Sequence, residues 1–517
     1  MSERALDRSP VLRMSIPRVS AWVLLVAAFG LALYVHAPSL RLGFSSDDFD
    51  WWLDGRMAVE DSGVWFAPSG TFYRPANRWS MAVDYLMFRT DPMGFHATNL
   101  LLHLSAGALF WLLLGRFGYR PAGRALAIAI WLCSPFTLEP AQSVAIRFEL
   151  ILLLCWLGLV LVWPAPARPW RVWRLAVAVL LSLLGALTKE SWVILPGFVF
   201  SCELWIARRS IASAVRRSLA VSMAPVTYTI AYFHFFPGDK GGYFSAGIEG
   251  LLKVPHALAA FLGLTTLRPA GFRLDAPELL AALFVCLLTF LGWRRRSAAC
   301  GLAVAFLLLP FVPIFPVGFM TTRYTTLPFL GFVLLLYATL SQIDSASTGR
   351  VRLAIRVLIA VGASAVLATG IVQMSKESLD ARLYSDAHLR LIQEATAFRA
   401  EIPADRAIVV VRLENENPLV RMLRDGPSGF DKMYFQRQYA PYGLADWAAL
   451  FSYVRDPDGG PIFVDVAPPA AAGREYAVIA HVQDKFLLIP AQAAGVPQEV
   501  AHWMQQGTLA RVLVPWP

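Results

Sequence analysis

Residues 20–49 read SAWVLLVAAFGLALYVHAPSLRLGFSSDDF. Ser20 to Pro38 is an uncharged apolar run, close to the roughly 20 residues that a helix needs to cross a bilayer. The run is long for the apolar part of a signal peptide, and no small-x-small cleavage site follows it. It reads as a retained signal anchor. Directly behind it stand two adjacent carboxylates, Asp47 and Asp48. An anchor that hands the chain straight to a pair of acids suggests a membrane protein with chemistry at its surface.

The rest of the chain extends that reading. Of 517 residues, 57% are apolar and only 16% are charged, against about a quarter charged in soluble proteins. The mean hydropathy is +0.52. These values exclude a set of soluble domains, a disordered chain and a nucleic-acid binder. Further apolar runs lie near 96–115, 124–138, 148–164, 174–188, 191–207, 218–236, 277–293, 298–316, 325–341 and 353–373, so eleven spanning helices are expected. The run 247–266 contains Lys253, Pro255 and His256 and reads as a re-entrant or interfacial segment. The five cysteines, Cys133, Cys155, Cys202, Cys286 and Cys300, lie in or beside apolar runs. None forms a CxxC pair, so neither zinc nor a disulfide framework is indicated.

The arginines set the orientation. Six segments carry 20 of them against three acids: Arg4 to Arg18, Arg116 to Arg124, Arg168 to Arg174, Arg208 to Arg217, Arg294 to Arg296, and Arg350 to Arg356. The positive-inside rule places all six in the cytoplasm, with residues 1–19 as a cytoplasmic N-terminus. Counting 247–266 as a span would put Arg294–Arg296 outside. The loop 39–95 then lies outside. It holds eight acids and five arginines and is net −3. The overall charge of +10 is therefore an orientation signal.

After about residue 375 the composition changes. Residues 376–400 read as an amphipathic helix and Ala407–Arg412 as a strand. Tyr476–His481 and Lys485–Ile489 read as a hairpin around Gln483 and Asp484, with another strand near Val512–Val514. Residues 376–517 are expected to form a small extracytoplasmic α/β domain following the all-α domain 20–375. Trp447, Tyr434 and Tyr439 can form a carbohydrate surface or simply core packing.

Ionisable residues near membrane depth are costly and are kept mainly where they face a cavity or a partner. Here they gather at the outer helix ends. Asp47 and Asp48 repel each other, so both need a cation, a metal or a donor nearby. They fit a general base or a cation site, or an acidic helix cap. Tyr73-Arg74-Pro75 follows, then Asp84, then Asp91 to His103. His96, Asn99 and His103 at i, i+3 and i+7 share one helix face. They suit hydrogen bonds between helices better than a metal. Glu139 precedes Arg147-Phe148-Glu149. Thr188-Lys189-Glu190-Ser191 joins two helices with almost no loop. Lys189 is a compact cation suited to a phosphate, or to a neighbouring acid. In Arg323-Tyr324, the guanidinium fork has the same two uses. No glycine-rich nucleotide loop appears, and no cytoplasmic loop is long enough for a nucleotide domain.

The order SDDF, YRP, D-P-x-G-F-H-x-x-N-L-L-L-H, P-x-x-x-E with R-F-E, TKE and R-Y-x-x-L-P resembles the multispanning C-type (GT-C) glycosyltransferases, over residues 20–375. The branch it is most similar to is the protein O-mannosyltransferase-like group. The resemblance implies an inverting enzyme that moves a sugar from a polyprenyl-phosphate carrier to a protein, glycan or lipid acceptor on the outer face of a bacterial-type inner membrane. It matches Asp47 or Asp48 to the family's catalytic acidic pair, Lys189 to the lysine of its K-E step, and Arg323 and Tyr324 to its late R-Y motif. Arg74 is expected to help hold the donor phosphate. His96, Asn99, His103, Glu139, Arg147 and Glu190 are expected to support the site. The chain departs from the family at Arg147-Phe148-Glu149, where R-x-D is usual, and its tail lacks tetratricopeptide repeats. A divalent cation held by Asp47 and Asp48 is the one cofactor left open. The rival classes are a transporter or flippase of a lipid-linked or anionic solute, and a lipid-linked polysaccharide polymerase or ligase. The chain shows no duplicated half of the transporter kind, and its large outer loop comes first, whereas such polymerases carry a late one.

Overall fold

A computed structural model describes residues 18–399, except 45–46, 69–71, 167–169, 236–246, 268–269 and 295–296. Beyond these it describes the segments 407–412, 462–463, 476–482 and 485–489. Arg4, Arg8, Arg13, Tyr434, Tyr439, Trp447 and the expected strand Val512–Val514 lie outside the described residues.

Fifteen α-helices follow one another among the described residues. They are α1 (Arg18–His36), α2 (Asp47–Glu60), α3 (Pro75–Phe88), α4 (Pro92–Arg116), α5 (Pro121–Leu132), α6 (Leu138–Gln142), α7 (Arg147–Val162) and α8 (Val172–Thr188). Then come α9 (Leu195–Ser201), α10 (Ile211–Phe235), α11 (Lys253–Phe261), α12 (Ala276–Arg294), α13 (Ala298–Leu308), α14 (Thr326–Ala346) and α15 (Gly349–Arg399). Four strands close the described chain: β1 (Ala407–Arg412), β2 (Ile462–Phe463), β3 (Tyr476–Val482) and β4 (Lys485–Ile489). The sheet order is β2-β1-β3-β4, parallel between β1 and each neighbour and antiparallel between β3 and β4.

Among the described residues, six helices are long and apolar enough to cross a membrane, or seven if the bent pair α5 and Pro135–Gln142 is one span. Eleven were expected from the sequence. Part of the difference lies in runs that the chain breaks; α8, with 17 residues, is short, and α10 is continuous but does not count as an apolar span. The run 191–207 becomes a 3-10 turn Glu190–Ile194, the short α9 with Pro196 in its first turn, and a π-helical turn Cys202–Ile206. The run 298–316 becomes α13 and a 3-10 segment Leu309–Ile314 that holds Pro310 and Pro313. Proline removes a backbone donor and clashes with the preceding turn, so apolar length alone overstates helix length. The segment 247–266 contributes the short α11, which supports leaving it out of the span count.

The first outer loop is folded rather than extended. Three acids in the first turn of α2 favour its positive end. Pro75 and Pro92 start α3 and α4 at the position where a missing N–H costs least. Asp91 caps α4 by accepting from the Met93 N–H at 3.0 Å. α2 lies flush on α3 at Gly55, where an added Cβ would sit 2.6 Å from the Met81 carbonyl carbon. The core below joins α1, α4, α5, α7, α9, α13 and α14. There Trp156 stacks between Trp192 and Phe198, with centroids 3.8 and 4.1 Å away.

Candidate functional site

The α2 start separates the two adjacent acids. Successive helical residues point about 100° apart. Asp48 turns inward, is 1% exposed, and accepts the Ala145 N–H at 2.7 Å and the Ser143 hydroxyl at 3.3 Å. Asp47 turns to the surface and is exposed.

The segment that receives Asp48 follows the sharp break after α5. The chain bends 68° there, with Pro135 as the breaker and the Ser134 hydroxyl accepting from the Phe136 N–H. His36 and His103, with ring centroids 4.9 Å apart, both direct Nε2 at the Leu132 carbonyl that the break exposes. They tie α1 and α4 to the break rather than lining a site. His96 is buried on the same face of α4. Among the described residues no three His, Cys, Asp or Glu side chains gather as a metal-binding group.

Arg147, at the start of α7, is fully buried and holds the loop together. It pairs with Asp84 at 2.6 Å. It also donates to Asn99 Oδ1 at 2.6 Å, the Phe95 carbonyl at 2.9 Å and the Ser80 hydroxyl at 3.1 Å. Asn99 donates in turn to the Ser143 and Pro140 carbonyls at 2.7 and 3.2 Å. Arg147 and Asn99 are thus committed to protein partners.

The remaining bases surround the two residues after Arg147. Arg74 grips Glu190 with both arms of its fork, at 2.7 and 3.2 Å. Burial alone would raise the Glu190 carboxyl, but the Arg74 and Lys189 charges outweigh it and hold its pKa at about 2. Phe148 lies between the cations, 4.2 Å from Arg74 and 5.3 Å from Lys189. Lys189 is ion-paired with Glu149 and stands 5.1 Å from the Tyr324 ring centre. Arg323 donates to the Tyr324 hydroxyl at 3.2 Å. Glu139 accepts the Arg323 backbone N–H at 2.7 Å and the Thr322 hydroxyl at 2.8 Å, fixing the short turn Thr322–Tyr324. A pocket of about 40 Å³ opens between them, lined by Glu149, Lys189, Ser191, Arg323 and Tyr324 over an apolar floor that includes Trp156.

Lys189, Arg323 and Tyr324 therefore meet although more than 130 residues separate Lys189 from the other two in sequence. Arg74, expected to help hold the donor phosphate, pairs with Glu190 on the far side of Phe148, and neither lines the pocket. Asp48, Asn99, Glu139 and Arg147 support the frame, while His103 lies deeper. Two participants were named from the sequence within Arg147-Phe148-Glu149 but given no role: Glu149 faces Lys189, and the Phe148 ring packs under Arg74 and Lys189.

The fold is that of a multispanning membrane protein of the GT-C type. The solved structures that share it include ArnT from Cupriavidus metallidurans in the apo state, with a TM-score of 0.51 and 13% identity over 95% of each chain. They also include the same protein bound to undecaprenyl phosphate, with a TM-score of 0.50 and 14% identity over 92% of this chain and 99% of that one. The likeness is one of fold. No family model matches the chain, and no curated protein matches it in sequence.

Proposed function

We propose that the protein is an inverting glycosyltransferase that moves a sugar from a polyprenyl-phosphate carrier to an acceptor hydroxyl or amine on the outer face of the membrane. The observation that carries this reading is the pocket where Lys189, Arg323 and Tyr324 meet. A lysine and an arginine over an apolar floor match a lipid phosphate: the head is anionic and the tail apolar. The neighbouring ArnT structure bound to undecaprenyl phosphate supports this donor class.

In this reading Asp47 is the base, because it is the exposed member of the acidic pair. It takes the proton of the acceptor as the acceptor oxygen or nitrogen bonds to the anomeric carbon. The bond from that carbon to the phosphate oxygen breaks on the opposite face, so the configuration inverts. The leaving polyprenyl phosphate gains negative charge, which Lys189 and Arg323 stabilise. Asp48 holds α2 against the Ser143–Ala145 turn and so aims Asp47. Arg74, locked by Glu190, backs Phe148 beside the pocket. A divalent cation would have only the exposed Asp47 of the acidic pair to bind, because Asp48 turns inward to Ala145 and Ser143.

The same reading places the arginine-rich helix ends and the N-terminus in the cytoplasm, the 39–95 loop outside, and residues 376–517 as a separate extracytoplasmic domain. The O-mannosyltransferase-like resemblance makes a hexose the first sugar to assay, with protein, glycan and lipid acceptors compared. The test is transfer from a radiolabelled polyprenyl-phosphate hexose by the purified protein, alongside Lys189→Met and Asp47→Asn. Loss of transfer in both variants, with folding intact, is expected. Full rates in both, or solute flux into proteoliposomes without transfer, would reject the assignment; the second outcome would favour the transporter class.

A further inference from the structure

A second cavity, of about 590 Å³, lies between α7, α8, α9 and α10. That size is typical of ligand sites, at roughly 300–1,000 Å³. Leu175, Val179, Leu183 and Leu187 line it from α8 at four-residue steps, so they form one helical face. Twelve residues at 1.5 Å each make this face about 18 Å long. The groove is therefore shaped for a chain rather than a compact solute. Its lining is almost entirely apolar.

Tyr228 lines the end nearer Tyr73, while the charged lining residues, Glu203 and Arg217, sit at the arginine-bearing end. Trp163 and Trp170 meet edge-on there, with centroids 5.0 Å apart. Paired tryptophans of this kind favour the membrane–water boundary. Glu203, on the π-helical turn, is buried beside them. Its carboxylate lies 3.7 Å from Arg217 Nε and 4.0 Å from Arg209 Nε. Both distances exceed a hydrogen bond, so Glu203 gathers the two guanidiniums without saturating either. Their side chains remain 43% and 45% exposed. One acid against two arginines leaves the mouth net positive. The pocket lined by Lys189 and Arg323 lies at the opposite end of α8, beyond Thr188.

We propose that this groove binds one anionic phospholipid, with its phosphate between Arg209 and Arg217 and one acyl chain along α8. The charge at the mouth, the tryptophans at head-group level and the length of the apolar face all fit that one molecule. A zwitterionic lipid would leave the second arginine uncompensated. The bound chain packs against α8, whose C-terminus carries Lys189, and thereby steadies that residue. The inference does not depend on sugar transfer.

The test is native mass spectrometry of the delipidated full chain, with phosphatidylglycerol and phosphatidylcholine of identical acyl chains. One phosphatidylglycerol per protein is expected, held about 25-fold more tightly than phosphatidylcholine. This corresponds to about five-fold, or about 1 kcal/mol, per arginine at an anionic head group. Arg209→Gln with Arg217→Gln should bring the two lipids to parity, while the double lysine variant keeps the preference. Ala186→Phe, which fills the groove, should lower retention of both. Parity in the unaltered protein would overturn the proposal, as would a preference that survives the double glutamine variant. Displacement of phosphatidylglycerol by equimolar undecaprenyl phosphate would assign the groove to a polyprenyl tail and also overturn it.

Discussion

Replacing Arg147 by Met removes a charge from the most enclosed part of the outer loop. Arg147 has no exposed surface, and Asp84 beside it is nearly as buried. Without the guanidinium, Asp84 keeps only the Thr98 hydroxyl at 2.8 Å, and Asn99 loses its donor at 2.6 Å. Breaking a buried pair by removing one partner costs about 3–5 kcal/mol, chiefly because the other charge is left uncompensated. Whole domains are stable by about 5–15 kcal/mol, so R147M should melt far below the parent protein. The diagnostic step is the second substitution. Asp84→Asn removes the stranded charge, and R147M/D84N should regain at least ~2 kcal/mol over R147M, within the range of coupled neighbours. Thermal melts of the detergent-purified proteins, ranked by midpoint, measure this. The double variant should also transfer sugar, because Arg147 is spent on Asp84, Asn99, Phe95 and Ser80. The reasoning fails if R147M melts like the parent. It fails equally if the double variant is no better than the single, or if it folds yet no longer binds the lipid-phosphate donor.

Asp47→Asn should slow transfer by about 10²–10⁴, the usual worth of a general base, with an unchanged melting point. Asp48→Asn should keep most of its rate but lose about 1–2 kcal/mol of stability, since a charged acceptor is exchanged for a neutral one at the Ala145 N–H; paired rate and melting measurements separate the two. Glu139→Gln loosens the Thr322–Tyr324 turn and should raise KM for the lipid-phosphate donor about tenfold, the worth of one charge-assisted hydrogen bond, with kcat little altered. The Glu190 carboxyl is lowered from 4.5 to about 2, so its ion pair stabilises the fold fully above pH 4.5 and is lost as pH falls toward 2. Across that window the melting point of the parent should drop more than that of Glu190→Gln; parallel profiles would contradict the pairing.

Much of this was legible because charge is scarce in such a chain. Each acid or base at a helix end stands out against apolar neighbours, and the positions of Lys189, Arg323 and Tyr324 could be read without contacts. The allocation of partners could not. Nothing local says that Arg74 belongs to Glu190 or that Glu149 faces Lys189, since those pairs form only when distant helices pack. The two roles of Asp47 and Asp48 were equally hidden, because adjacent residues differ only once the helix start gives each a direction. Helix length failed for local reasons. Proline cut the 191–207 and 298–316 runs short, whereas α15 continues through the change in hydropathy near residue 375. No proline interrupts 349–399, so the backbone ladder runs on while the side chains change character.

The arrangement also explains how a site can be strongly basic before its substrate arrives. Several cations held together in a low-dielectric setting repel one another, and each loses hydration. Here an acid on another element faces three of the bases: Glu190 faces Arg74, Asp84 faces Arg147 and Glu149 faces Lys189. Those carboxylates offset the desolvation cost. Pairing does not exhaust every donor. An ammonium has three N–H groups and a guanidinium five, and at this site a carboxylate engages Arg74 with both arms of its fork. Lys189 meets Glu149 through its single nitrogen and still borders the pocket together with Arg323. A phosphate entering there can add hydrogen bonds without dismantling an ion pair. In that reading the acids keep the pocket assembled without a ligand, and the leaving phosphate meets charges already in position.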